Sequence, residues 1–188
     1  MNWEEFESKA QSCHACGLSS GRTNVVIGRG SKNQGRILFV GEGPGENEDR
    51  QGLPFVGQAG RLLDLALGAL EFSPDDYYIA NVVKCRPPQN REPSEEECEM
   101  CLPLLRHQFI LLKPRIVVCL GSVAARNLLS KDARITAVRG EWVRKGNTLF
   151  TATYHPAALL RDESKKADFY YDLKKVRDTA AEIFKTEN

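Results

Sequence analysis

Between Arg36 and Gly60 the chain reads RILFVGEGPGENEDRQGLPFVGQAG, and this stretch limits the possible folds more than any other. Ile37, Leu38, Phe39 and Val40 form a continuous apolar run ending on glycine, the pattern of a strand buried on both faces of a parallel sheet. Gly41-Glu42-Gly43-Pro44-Gly45 follows at once. Gly41 and Gly43 lack the Cβ that would keep backbone away from a ligand, and Glu42 is a carboxylate held between them. Open α/β sheets bind ligands beyond the carboxyl ends of their strands, so Glu42 is a catalytic candidate by position. The same pentapeptide is also an ordinary turn, so its meaning depends on the rest of the chain.

Three further runs read as strands: Tyr77 to Val83, Arg115 to Gly121 and Thr148 to Tyr154. A short β piece is expected at Asn24 to Ile27. Helices are predicted over Trp3 to Gln11, over Gly60 to Leu70 with leucines at helical spacing, and from Lys165 to Phe184. Ser94 and Glu97 have the spacing of a capping box, which opens a helix running to Leu112. Ser122, directly after Gly121, opens another that ends near Leu129, and its free backbone N–H groups could hold a phosphate. Strands alternating with helices predict a three-layer α/β/α sandwich around a mainly parallel sheet of about four strands.

A chain of 188 residues with 41% hydrophobic content suffices for one compact domain over residues 1–188. The acidic, polar N-terminus and the lack of long apolar runs lead to the expectation of a cytoplasmic protein without membrane attachment, and a monomer is expected. A net charge of +1 argues against wrapping long nucleic acid and permits a local basic face. Six cysteines in a reducing compartment point to metal or cluster ligation. Cys13-x2-Cys16 is half of a four-ligand set, and Cys98-x2-Cys101 could complete it as a zinc site. Cys119, in the middle of an apolar strand, reads as a small hydrophobe. Asn81 near a strand end must find buried partners or face a site, because an unpaired buried amide costs about 1 to 3 kcal/mol.

GEGPGENED with downstream LPFVGQAG, then IANVVKCRPPQNREP, then YHPAALLR, together with Cys13-x2-Cys16, resembles the family 4 uracil-DNA glycosylases that carry an iron–sulfur cluster. The resemblance runs from Cys13 to the terminal helix. It implies the uracil-DNA glycosylase fold, hydrolysis of the N-glycosidic bond of deoxyuridine in double- or single-stranded DNA, and a [4Fe-4S] cluster. It puts Glu42 at the carboxylate of the first motif, Phe55 at the ring that stacks on uracil, Asn81 at the amide that reads it, and His155 at the final motif. For the cluster it implies Cys13, Cys16, Cys85 and Cys101, with Cys98 a departure from the usual pattern. After His155 it implies an apolar wedge, Leu159 or Leu160.

These roles make chemical sense. The Asn81 amide carries one acceptor and one donor, matching the N3 proton and O4 of uracil, and cytosine presents the reverse. His155 can donate to uracil O2 as the base departs with negative charge. Glu42 can position or deprotonate the attacking water and can stabilise the cationic sugar. Glu48 is a supporting loop residue, and Lys84, Arg86, Arg91 and Arg161 are expected phosphate contacts. A module that binds damaged DNA without cutting it, and a zinc-stabilised nucleotide-handling protein, are the competing readings.

Overall fold

The computed structural model describes residues 1–185. In chain order it runs α1 (Trp3–Gln11), β1 (Arg29–Gly30), β2 (Ile37–Gly41), α2 (Glu46–Gln51), α3 (Gln58–Ala69), β3 (Tyr77–Asn81) and α4 (Glu95–Leu112). It continues with β4 (Ile116–Leu120), α5 (Ser122–Leu128), α6 (Ile135–Val138), β5 (Val143–Lys145), β6 (Thr148–Thr153), α7 (Pro156–Arg161) and α8 (Lys166–Lys185).

The strands form one sheet in the order β1-β3-β2-β4-β6-β5. The inner four are parallel, as the apolar runs predict. Two short antiparallel edge strands, β1 against β3 and β5 against β6, enlarge the expected four-stranded sheet to six and make it mixed. β5 hides from hydrophobic patterning because all three of its residues are exposed. Its hairpin is carried by the two-residue Gly146–Asn147 turn, with Gly146 at φ +59°.

The strand predicted at Asn24 to Ile27 does not form. There Val26 donates a single backbone bond to the Lys84 carbonyl at 2.8 Å, and the Asp49 carboxylate accepts from the amides of Thr23 and Asn24. The ladder begins instead at Arg29. β3 ends at Asn81, two residues short of the predicted run, although the amides of Val82 and Val83 still bond to the Gly41 and Glu42 carbonyls and keep the two chains together past the strand ends.

Side chains of β2 alternate between two cores. Leu38 and Val40 pack with α1, α4 and α5, whereas Ile37 and Phe39 pack with α3 and α8. This is the three-layer sandwich. Cys119 is wholly buried in the first core, among apolar neighbours. Ser94 and Glu97 close the capping box of α4 in both directions. The polar α2 carries no apolar stripe; it ends at Gly52 in the left-handed region, and its Asp49 is buried. Behind β6, Thr153 donates to Asp172 at 2.7 Å while Arg139 grips the same carboxylate, which ties the strand to α8.

Chain order reverses between β2 and β4, since β3 lies on one side of β2 and everything after it on the other. Such a switch point opens a crevice at the carboxyl ends of the strands, and Glu42 and Ser122 leave the sheet there.

Candidate active site

Gly41 is the floor of the site. It stands in register with Asn81 across the parallel β2 and β3 pair. A Cβ on Gly41 would lie 2.5 Å from both Asn81 Oδ1 and the Cζ of Phe55, so three segments meet on one glycine. Asn81 is buried, and its Oδ1 has no hydrogen-bond partner. An orphaned buried acceptor at a strand end is costly for folding alone and is what a recognition group needs.

Phe55 sits at φ +55°, strained for a residue with a side chain, and the surrounding bonds hold it there. Glu48 Oε1 accepts from the amides of Val56 and Gly57 at 2.9 and 2.8 Å, and Arg29 Nε donates to the Pro54 carbonyl at 2.9 Å. On α3, Gly60 admits the Phe55 carbonyl so closely that a Cβ would be 1.9 Å away. Glu48 is thus the loop support expected, while nothing in the sequence marked Arg29.

His155 caps α7. Its Nδ1 accepts from the Ala157 amide at 3.1 Å, which leaves the ring proton on Nε2. The ring stacks on Phe55 with centroids 5.5 Å apart. Gly121, at φ +90°, lies behind it, and a Cβ there would be 2.8 Å from that of His155. Burial, helped by the Arg161 charge, pushes the imidazole down to about 4, so it is neutral at physiological pH.

Glu42 is partly buried. Desolvation raises its pKa above the usual carboxylate value, Glu92 adds to that, and Arg126 and Arg161 oppose it. Arg161 is exposed, and its charge bears on both Glu42 and His155; the Phe55 ring that stacks on His155 also packs against Gly41, the residue before Glu42. Glu92, in the loop before α4, is ion-paired with Arg126 of α5. Their influence on Glu42 had no signature in the chain.

Of the two leucines, Leu159 is buried in the core and Leu160 is 48% exposed. A wedge at Leu159 is therefore ruled out by packing. The expectation that Lys84 contacts phosphate is also corrected: the side chain is wholly buried, donates to the Asn81 carbonyl at 2.7 Å, and is pushed down to about 8 by burial. Arg91 is held by a two-pronged bond to Glu97, and Arg86 bonds Asn90 and pairs with Glu46. Gly43 packs close to Val83, and Ser122 is the first residue of α5.

Cys13, Cys16, Cys85 and Cys101 line one small cavity with Arg22 and Lys84. Cys98 instead lines a groove between α4 and α5 with Glu92, Arg126 and Asn127. The fold therefore does not assemble the set that joins Cys13 and Cys16 to both Cys98 and Cys101. Arg22 donates to Cys85 Sγ at 3.3 Å and to the Cys13 carbonyl at 2.7 Å, and the Lys84 amide donates to Cys101 Sγ at 3.3 Å. Among the described residues, no group of three or more His, Cys, Asp or Glu side chains is arranged to hold a single ion. Four cysteines around one cavity, with Arg22 donating to one of their sulfurs, are the donor set of a thiolate-bound centre.

The Uracil DNA glycosylase superfamily matches residues 27–175. The chain is 41% identical over 186 residues to a Type-4 uracil-DNA glycosylase of Sulfurisphaera tokodaii, covering 94% of this chain and 84% of that one. A Type-4 uracil-DNA glycosylase of Thermotoga maritima is 44% identical over 167 residues, covering 87% and 85%. A Type-5 uracil-DNA glycosylase of Pyrobaculum aerophilum is more distant, 35% identical over 141 residues and covering 66% and 62%. The chain belongs to the uracil DNA glycosylase superfamily.

Proposed function

We propose that this chain is a uracil-DNA glycosylase, a hydrolase that takes deoxyuridine out of the DNA stack and cleaves its N-glycosidic bond to leave an abasic site. The observation that carries the reading is the unpaired Asn81 acceptor beside Gly41 and Phe55, with the Phe55 ring stacked on His155 and Glu42 following Gly41 in the chain. The Type-4 names of its relatives agree with it.

In this mechanism Asn81 reads the uracil edge, with Oδ1 accepting from N3–H and the amide donating to O4. Phe55 supplies a flat face for the base, and Gly41 and Gly43 let backbone approach it. As the C1′–N1 bond breaks, its electron pair leaves with uracil, and the Nε2–H of His155 stabilises the charge at O2. Glu42 orients water for C1′ and takes its proton, while its charge favours the oxocarbenium-like sugar. Extrusion of the nucleotide leaves a gap that Leu160 fills. The Ser122 amide and Arg161 contact phosphate.

Cys13, Cys16, Cys85 and Cys101 would hold a [4Fe-4S] cluster, whose contribution is structural cross-linking of the N-terminal segment to the loop after β3. Among the described residues no helix is long and apolar enough to cross a membrane. The proposed enzyme acts as a cytoplasmic, single-domain monomer on DNA. Incubation with a uracil-containing oligonucleotide followed by alkali tests the reading: strand breaks at uracil are expected, and intact strands overturn it.

A further inference from the structure

Lys84 is the only lysine or arginine among the described residues that is buried outright. Its Nζ donates to the main-chain carbonyl of Asn81, its own amide donates to Cys101 Sγ, and the residue lines the cavity of the four cysteines. A buried ammonium with one neutral partner is strongly unfavourable, and an apolar side chain of similar volume would serve packing better. The compensation at hand is the sulfur wall, once its cysteines are thiolates bound to metal. Arg22 places a second cation on the same wall.

The other end of Lys84 lies where β3 leaves the sheet. The Asn81 carbonyl it holds belongs to the residue whose side chain stands unpaired at Gly41 and Phe55. One residue thus touches both the cysteine cavity and the backbone that aims the recognition amide.

We propose that Lys84 is a positioning residue that couples the metal-loaded cysteine cavity to uracil selection, by fixing the Asn81 peptide while its charge is balanced by metal-bound thiolates. The inference rests on the uracil-excision reading. Linkage then requires reciprocity: a ligand in the uracil pocket must tighten the hold on the metal.

The test uses the metal-loaded wild-type protein and an excess of chelator. Metal loss is followed by visible absorbance for iron, or with an indicator dye for zinc. One duplex carries 2′-fluoro-2′-deoxyuridine, which resists cleavage, and a second carries thymidine at that position. The uracil duplex is expected to slow metal loss severalfold relative to the thymidine duplex. In Lys84→Met the two duplexes should give the same rate, and the metal should leave faster. Equal rates in wild type, or a ratio retained in Lys84→Met, overturn the proposal. Should Lys84→Met not fold, Lys84→Gln keeps a donor without the charge: faster metal loss with a ratio near one supports the coupling, and wild-type retention overturns it. A wild-type protein that leaves uracil DNA intact defeats the functional reading instead. One that cleaves uracil without linkage defeats only this inference.

Discussion

The imidazole of His155 lies against the ring of Phe55 at an interplanar angle of 27°, while its Nδ1 accepts the Ala157 amide. Stacking fixes the plane of the ring, and the helix cap fixes its tautomer. Burial holds the folded-state pKa near 4, against an ordinary 6.5. The unfolded chain therefore takes up a proton at this position first, so the contribution to stability is full above pH 6.5 and drains away as pH falls toward 4. Nitrogen-15 spectra at neutral pH should show the proton on Nε2. Urea midpoints should fall more between neutral and mildly acid pH in wild type than in His155→Gln. Equal falls would mean that the ring is not held neutral.

Glu42 makes the opposite kind of pH statement. Its pKa is raised, chiefly by desolvation, so it protonates at a higher pH than a solvated glutamate would. Single-turnover cleavage should decline on the acid side before ordinary carboxylates titrate. Glu42→Gln should slow cleavage about 10²- to 10⁴-fold, the usual range for a positioned base, without weakening DNA binding. The acid limb of the pH profile should vanish with it. A variant at the wild-type rate would remove Glu42 from the chemistry.

What the sequence revealed and what it hid follow from the kind of force involved. The four inner strands are apolar runs flanked by glycine or helix caps, and burial on both faces leaves that trace in composition. β5 has three exposed residues and α2 has no apolar stripe, so neither has a hydrophobic period to detect. Glu42, Asn81 and His155 each allow a bland reading as polar residues at strand ends, and it is the resemblance of the motifs around them that assigns their roles. A lysine in a basic, proline-rich loop looks solvated in sequence, whereas the burial of Lys84 follows from tertiary contact with Asn81 and Cys101. The choice between Leu159 and Leu160 depends on which side of α7 meets the core, and six residues are too few to show that in sequence.

Gly41 offers a test of the pocket independent of charge. A methyl group there would overlap Asn81 Oδ1 and the Phe55 ring, each 2.5 Å from the added carbon. Phe55 already sits in a strained backbone conformation and cannot retreat freely, since Glu48 and Gly60 hold its loop. Gly41→Ala should therefore push the ring or the amide out of place. The expected result is a loss of uracil cleavage of at least about tenfold, equivalent to ~1.4 kcal/mol, with a much smaller change in DNA affinity. Unchanged cleavage would show that these three residues do not form the uracil pocket.

The cysteines give the sharpest contrast, because Cys98 and Cys101 lie on the same helix three residues apart yet line different cavities. Cys101 shares its cavity with Cys13, Cys16 and Cys85, while Cys98 lies among Glu92, Arg126 and Asn127. Cys98→Ala should keep the metal content of wild type and lose only the small packing energy of a buried thiol. Cys85→Ala and Cys101→Ala should each lose bound metal, solubility and thermal stability. Metal per protein chain, measured on the purified variants, decides the ligand set, and absorbance near 400 nm, about where thiolate-bound iron–sulfur centres absorb, identifies the centre. Metal lost from Cys98→Ala and kept by Cys85→Ala would restore the paired C-x2-C zinc set. Colourless wild-type protein with stoichiometric zinc would overturn the iron–sulfur assignment.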